Sequence, residues 1–316
     1  MKRGRFILLC VLVFVVVFIA SAIFKMTYTP EWSKKYTVDW GETIGTIEKD
    51  LAYGELDANK FDLYLPADDT KEGYGLVVYL HAGGFTSGDK AGDADMLEWL
   101  CSKGYVACGI NYTLRTKDND ASVYTQSMEI KAAIPVVVAE AEKRGYPIHG
   151  LTMSGGSAGG CLAMLYAYRD AWDAPVPVKL MFEMVGPSSF YAEDWGIYGT
   201  DQNAEAAAGL FGVMAGVELT TDMIESGEYV ELMRPISAFM WVTPESCPSV
   251  LLYGTCDKVQ PWAGVKHLND ALAENGVDYQ LFEAPHSGHG VQNDDKVFEA
   301  YMDTVVEYLE KYMPVQ

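Results

Sequence analysis

Within Gly155-Gly156-Ser157-Ala158-Gly159 lies the side chain best placed in this sequence to act as a nucleophile. A serine with glycine two residues before and two after can sit on a strained turn between a strand and a helix, because only tiny residues let the backbone fold that tightly. Its flanks fit: residues 149–154 read as a short buried strand and 158–168 as a helix. Serine is a poor nucleophile at neutral pH and needs a base to accept its proton. The histidines are His81, His149, His267, His286 and His289. His286 and His289 both follow the last predicted strand, in Ala284-Pro-His-Ser-Gly-His-Gly290. Gly288 and Gly290 let a loop swing the His289 ring toward the serine, so His289 is the favoured base. His286 directly follows Pro285 and is read as packing or bonding locally. His149 and His267 are read as satisfied surface or helix residues. A carboxylate must fix the imidazole tautomer and stabilise the cation it becomes. Asp257 fits, at the end of a buried strand, 250–254, that closes in a small-residue turn; its plainer reading is an Asx turn or a cap for the helix from Trp262.

Acyl transfer through a serine also needs donors for a developing oxyanion. His81-Ala82-Gly83-Gly84-Phe85 directly follows a predicted strand, and its glycines let backbone N–H groups approach a substrate closely. The amides of Gly83, Gly84 and Ala158 are the candidates. His81 is read as structural, bonding within its own loop. The glycines do not suit a phosphate, because Gly-x-x-x-x-Gly-Lys-Ser/Thr is absent. Asp89, Asp93 and Asp95 lack the spacing of a calcium loop and read as a solvated turn and helix start. No metal or cofactor is expected.

These groups must be presented by loops at the carboxyl ends of strands. Short apolar runs at 61–65, 76–80, 105–110, 178–185, 249–253 and 279–283 supply the strands. Between them, a helix closing at 96–100 and helical patterns at 126–144, 262–274 and 294–311 alternate with the strands. Pro135 is expected to kink the second or mark a register change. The alternation implies an α/β fold: a mostly parallel sheet with helices on both faces. From about Gly186 to Thr243 no strand is evident, and the aromatic residues and methionines there read as a helical cap inserted into the domain. Most of them are expected to pack the cap, and a few to wall a substrate pocket.

The 316 residues suffice for one large domain. With 23 Lys plus Arg against 44 Asp plus Glu, the net charge of −21 disfavours nucleic acid and anionic lipid as partners. Lys2, Arg3 and Arg5 precede an uncharged apolar run from Phe6 to Phe24, the pattern of an export segment. Ala20-Ser21-Ala22 resembles a cleavage site. The length of the run, with Lys25, Tyr28 and Trp32 as interfacial anchors, favours an uncleaved membrane anchor. Either way the remainder is expected outside the cytoplasm, with residues 1–25 as anchor or signal peptide, 26–45 as a connector and 46–316 as the folded domain. Beyond Cys10 five cysteines remain, an odd number without Cys-x-x-Cys, so most read as buried and unpaired; one bridge, Cys101 to Cys108, is conceivable.

His81-Ala-Gly-Gly-Phe85, Gly155-Gly-Ser-Ala-Gly159, Gly254-Thr-Cys-Asp257 and Gly288-His-Gly290 together resemble the signature set of the α/β-hydrolase superfamily. The resemblance is closest to its esterase/lipase group with an HGGG-type loop, which includes hormone-sensitive-lipase-like carboxylesterases, acetyl and feruloyl esterases and kynurenine-formamidase-like enzymes. It covers about residues 45 to 313, with Asn59 to Pro66 similar to the family's first core strand and Asn111-Tyr112 to the tyrosine after its next strand. It implies the order Ser157, Asp257, His289 for a catalytic triad, and Gly83 and Gly84 as the loop's oxyanion donors. Ala82 departs from the first glycine of the loop and is expected to narrow the pocket at most, and Thr113 stands where an arginine often follows the tyrosine. The implied activity is a serine carboxylesterase acting on a small-molecule ester with a small acyl group. A formamidase or peptidase would use the same machinery, and a non-catalytic binding module is the reading from another class. Substrate and oligomeric state stay open.

Overall fold

The computed structural model describes residues 2–27 and 31–316, and the side chains of Lys2, Lys25, Met26, Glu31 and Trp32 lie outside the described set. The anchoring role expected of Lys25, Tyr28 and Trp32 therefore falls outside the described residues. The chain divides into two units, Met1–Thr37 and Val38–Gln316. In the first, helix α1 spans Lys2–Thr27, followed by a 3-10 turn at Glu31–Tyr36. The stretch Arg3–Phe24 of α1 is long and apolar enough to cross a membrane.

The second unit is built on an eight-stranded sheet in the order β1-β2-β4-β3-β5-β6-β7-β8. Its strands are β1 (Gly45–Ala52), β2 (Lys60–Pro66), β3 (Tyr74–Leu80), β4 (Val106–Ile110), β5 (Ile148–Gly156), β6 (Val178–Met184), β7 (Ser249–Gly254) and β8 (Tyr279–Ala284). β1 pairs antiparallel with β2, and β2 with β4; every pairing from β4 to β8 is parallel. The apolar runs read from the sequence are β2 to β8. The inner strands are legible because a strand covered on both faces is apolar at nearly every position, while β8 is a partly exposed edge strand. β1 is an addition. It is an edge strand of mixed polarity, broken by a register shift between Glu48 and Leu51 where Asp50 takes φ 57°, so no period of two survives in its sequence.

Helices α2 (Ala94–Ser102), α3 (Val123–Lys143) and α4 (Ala158–Leu165) connect the central strands. The step from β3 to β4 runs one way along the sheet and the step from β4 to β5 runs back. Right-handed crossovers then require α2 and α3 on opposite faces. α3 continues as helix on both sides of Pro135, the position at which a kink or register change was expected. Pro135 forfeits only one intrahelical bond, and the buried face of Ile130, Ala133, Ile134 and Val137 holds the turns on either side. Between β6 and β7 the segment contains only helical turns, among them α5 (Ala204–Ala215), α6 (Thr221–Ser226) and α7 (Tyr229–Met233). Its Phe190, Trp195, Phe211 and Tyr229 are buried and pack ring to ring, Phe190 on Trp195 and Phe211 on Tyr229 stacked, and Trp195 on Phe211 edge-on. α8 (Trp262–Glu274) and α9 (Asp295–Tyr312) complete the layers.

All six cysteines are free, including Cys101 on α2 and Cys108 in β4, so the conceivable bridge does not form. Burial instead pushes the Cys101 thiol up to about 12. Asp93 also departs from expectation. Asp89 caps a 3-10 turn through the amide of Ala91, but Asp93 is largely withdrawn from water, and burial followed by the charge of Asp89 pushes its carboxyl up to about 6.

Candidate active site

Because β3, β5, β7 and β8 are parallel, their carboxyl ends lie along one edge of the sheet. Gly83 and Gly84 follow β3, Ser157 follows β5, Asp257 follows β7 and His289 follows β8. Ser157 stands alone between β5 and α4 with φ 53° and ψ −120°, a region that L residues rarely occupy. Its N–H donates to the carbonyl of Met184 at 2.8 Å, tying the turn to β6. The flanking glycines are required by close approach. A Cβ on Gly155 would lie 2.5 Å from the carbonyl carbon of Gly159, and one on Gly159 would lie 1.9 Å from the oxygen of Leu80.

The Ser157 Oγ lies 2.8 Å from His289 Nε2, and His289 Nδ1 lies 2.7 Å from Asp257 Oδ2. A carboxylate only accepts, so Nδ1 carries the proton and Nε2 offers its lone pair to the Ser157 hydroxyl. Asp257 Oδ1 accepts from the amides of Val259 at 2.7 Å and Gln260 at 3.0 Å, which fixes the carboxylate and turns Oδ2 toward the ring. The Asp257 side chain is 1% exposed and the imidazole 27%, so the relay is shielded at its acid end and open at its serine end. Such a chain can move a proton off the serine while the carboxylate balances the charge left on the ring.

His286 points elsewhere. Its ring is 76% exposed, and its Nδ1 pairs with Asp294 Oδ1 at 2.9 Å. Asp294 Oδ2 accepts from the His286 amide and from Ser287 Oγ, while the carbonyl of Ser287 accepts from the amide of Cys256. That lattice of bonds ties the histidine loop to the loop that carries Asp257. His149 lies at the start of β5, at the opposite end from Ser157, and its Nε2 is buried without a partner rather than satisfied as expected.

The glycine loop turns sharply, with Gly83 at φ 136°, Gly84 at φ 59° and Phe85 at φ 66°. The Gly83 carbonyl accepts from the amides of Thr86 and Ser87 and from Ser87 Oγ, and a Cβ on Gly83 would lie 1.9 Å from the oxygen of Ser87. Among the described residues, the N–H groups of Gly83, Gly84 and Ala158 have no protein acceptor. His81 bonds within the loop, Nδ1 to the carbonyl of Ala82 at 2.8 Å, and its ring stacks on Tyr112 at 4.3 Å. The Tyr112 hydroxyl donates to the His81 carbonyl at 2.9 Å, and burial holds the His81 imidazole below its ordinary range. Ala82 is exposed and narrows nothing.

A cavity of about 160 Å³ opens on Ser157 and His289. Gly84 and Ala158 form its polar end, and Phe85, Trp195, Tyr198, Leu210 and Met214 its apolar walls. Trp195, Tyr198 and Met214 were among the residues expected to pack the helical segment or wall a pocket, and they border this cavity. Gly83, next in the chain to Gly84, is not part of the lining. A larger depression of about 530 Å³ over Glu193, Asp201 and Glu225 contains none of Ser157, Asp257 and His289.

The BD-FAE family profile matches residues 61–272, two-thirds of the chain, and spans the glycine loop, the turn at Ser157 and Asp257. The chain belongs to the BD-FAE family. It thereby falls within the esterase/lipase group of α/β-hydrolases that its motifs resemble. A 142-residue stretch is 30% identical to kynurenine formamidase of Danio rerio, covering 43% of this chain and 45% of that relative, so less than half of the relative is matched. Esterase B of Lactobacillus rhamnosis has a similar structure, with a TM-score of 0.64 at 19% identity, covering 94% of this chain and 95% of that one. Est2 of Thermogutta terrifontis, a thermophilic esterase, gives 0.65 at 18% identity over 88% and 95%. A truncated carbohydrate esterase from gut microbiota gives 0.60 at 18% over 86% and 98%. These likenesses establish the α/β-hydrolase fold.

Three features of this BD-FAE member escape sequence reasoning. Gln126 on α3 is fully buried, and its Nε2 donates to the carbonyls of Phe85 at 2.9 Å and Thr113 at 2.8 Å, bracing the glycine loop. Nothing in a helical pattern marks it. Glu183, fully buried in β6, accepts from the Gly186 amide at 2.7 Å, and burial pushes its carboxyl up to about 8. A carboxylate inside a buried-strand run was a visible signal for it. Third, Asp194 Oδ2 accepts from Ser189 Oγ at 2.6 Å, and His267 Nε2 lies 3.2 Å from Asp194 Oδ1. That cluster joins residues far apart in the chain, and no spacing foretells it.

Proposed function

We propose that this chain is a serine hydrolase of carboxylic esters with small acyl groups. The observation that carries this reading is the continuous contact Ser157–His289–Asp257, at 2.8 and 2.7 Å, at the mouth of a small apolar cavity. In the proposed reaction His289 Nε2 takes the Ser157 proton as Oγ attacks the ester carbonyl. Asp257 stabilises the imidazolium, and the free amides of Gly84 and Ala158, with that of Gly83 next to Gly84 in the chain, receive the oxyanion. His289 then returns the proton to the departing alcohol. A water activated by the same ring cleaves the acyl-enzyme. Small acyl groups follow from the cavity: about 160 Å³ is well below the ~300 Å³ at which pockets for larger ligands begin.

The segment 186–243 acts in this reading as a cap whose Trp195, Tyr198, Leu210 and Met214 line the acyl side. Residues 1–25 act as an anchor or signal segment that carries the enzyme out of the cytoplasm. The partial likeness to kynurenine formamidase favours a second reading, hydrolysis of a formamide by the same relay. The test is labelling of the full chain by a fluorophosphonate, with Ser157→Ala as control, followed by nitrophenyl esters and N-formyl anilides. Labelling lost in the variant and turnover of the short esters are expected. Folded wild-type chain that resists the probe would overturn the proposal, and turnover of the formyl anilides alone would select the second reading.

A further inference from the structure

The wall of the cavity is held in two unequal ways. Trp195 is buried, its Nε1 donates to the carbonyl of Ser189 at 2.9 Å, and its ring stacks on Phe190 at 5.6 Å. Thr200 is buried as well, its hydroxyl donating to the carbonyl of Ala192 at 2.6 Å. Between these fixed points the single turn Gly196–Tyr198 rises to the surface and ends at Gly199, which takes φ 76°. A Cβ on Gly199 would meet nothing within 4 Å. Ile197 is 55% exposed and Tyr198 46%, yet the Tyr198 ring borders the cavity beside Ser157 and His289.

Across the cavity mouth, the Tyr198 hydroxyl donates to the carbonyls of Val259 at 3.0 Å and Lys258 at 3.3 Å. Those carbonyls belong to the turn whose amides at Val259 and Gln260 hold Asp257. The one ring thus spans from the helical segment to the acid loop. A neutral phenol is a donor, and burial followed by the nearby charge of Asp257 moves its pKa further up.

We propose that Tyr198 is the specificity-determining residue of the acyl pocket, a clasp that limits acyl length by closing the cavity between the helical segment and the acid loop. The proposal rests on the ester-hydrolase reading and assigns its size limit to one side chain. At a volume share of ~30 Å³ per water, about 160 Å³ holds roughly five water-sized groups, enough for a short acyl chain. Removing the phenol ring opens the cavity toward Ile197 and solvent. Removing only the hydroxyl keeps the ring and unfastens it from Val259 and Lys258. The ring also packs on Trp195 at 5.7 Å, but its bonds to Val259 and Lys258 lie at the surface, where a fastening opens at lower free energy than a buried one.

The test uses the full chain with nitrophenyl acetate, butyrate and octanoate, with functional sites counted by titration with a small fluorophosphonate. The wild type is expected to favour acetate and butyrate. Tyr198→Ala is expected to raise the octanoate-to-acetate ratio of kcat/KM by about tenfold or more. Tyr198→Phe is expected to raise it by less, through a lower KM for octanoate. A ratio unchanged in Tyr198→Ala, or a wild type that takes octanoate as readily as acetate, overturns the clasp. If Tyr198→Ala yields no titratable sites, the ratio in Tyr198→Phe decides, and no change there overturns the clasp. A wild type that neither hydrolyses any ester nor takes the probe overturns the ester-hydrolase reading itself, an outcome distinct from the others.

Discussion

Two clusters in this molecule contain the same three residue types. Ser157, His289 and Asp257 meet at the carboxyl edge of the sheet; Ser189, Asp194 and His267 meet between the helical segment and α8. Their distances are alike, and their connectivity is not. In the first the imidazole stands in the middle, with one nitrogen facing the hydroxyl and the other the carboxylate. In the second the carboxylate stands in the middle and accepts from both sides, so no imidazole faces the serine. Ser189 is fully buried, whereas Ser157 borders a cavity. His267 is packed against Tyr191 and Phe239, each with its ring centre 5.1 Å away. Residue types at hydrogen-bonding distance do not make a nucleophile; order, access and free N–H donors decide.

The largest effect expected from that contrast is in turnover. Ser157→Ala should lower kcat by about 10⁶-fold, while Ser189→Ala should leave it within about threefold. Equal losses in the two variants would erase the distinction. His289→Ala should cost about as much as Ser157→Ala, and His286→Ala and His267→Ala no more than about tenfold. Activity lost in His286→Ala and retained in His289→Ala would reassign the base. Among the acids, Asp257→Asn should lower kcat about 10⁴-fold by allowing the wrong tautomer. Asp194→Asn should instead lower the unfolding free energy by about 1–3 kcal/mol with kcat nearly intact, because its loss falls on a buried bonding group. Denaturant melts and initial rates of the two variants separate these outcomes.

An effect on stability alone, with none expected on turnover, concerns a third buried carboxyl with no histidine beside it. Glu183 is pushed up to about 8 by burial, so the folded chain keeps its proton where the unfolded chain releases it. Its contribution to stability is present below the ordinary carboxyl range and is lost as pH rises from there through about 8, by up to ~1.4 kcal/mol per pH unit. Glu183→Gln should flatten that dependence between pH 5 and 8. Parallel melting curves for wild type and variant across that range would show that Glu183 does not titrate there.

The sheet was legible wherever burial erased polarity. β3, β4, β5 and β7 are apolar runs because water reaches neither face, whereas β8, a partly exposed edge strand, keeps Gln280 and Glu283 among its apolar residues. β1 was not legible, since its bulge at Asp50 and its edge position leave no repeating pattern. The tight turn at Ser157 announced itself because two close approaches, Gly155 on Gly159 and Gly159 on Leu80, admit only glycine. Asp257 and His289 could be named because parallel strands deliver their following loops to one edge. Asp194 and His267 could not be paired, because 73 residues separate them and only the packing of the helical segment brings them together. Gln126 was equally silent: its partners are carbonyls, which every residue has.

The contact of Gly159 with the ends of Leu80 and His81 has a consequence for motion. It fixes the donor on the α4 turn and those on the glycine loop to one frame, so they cannot drift apart without parting β3 from β5. For the proposed reaction, the polar end of the site is preorganised and has no reorganisation to undergo when charge develops on the substrate. Whatever breathing lets an ester in and an acid out must then come from the opposite bank of the cavity. Chemistry and traffic are thereby assigned to different parts of the chain, and the bank can diversify while the sheet edge stays constant.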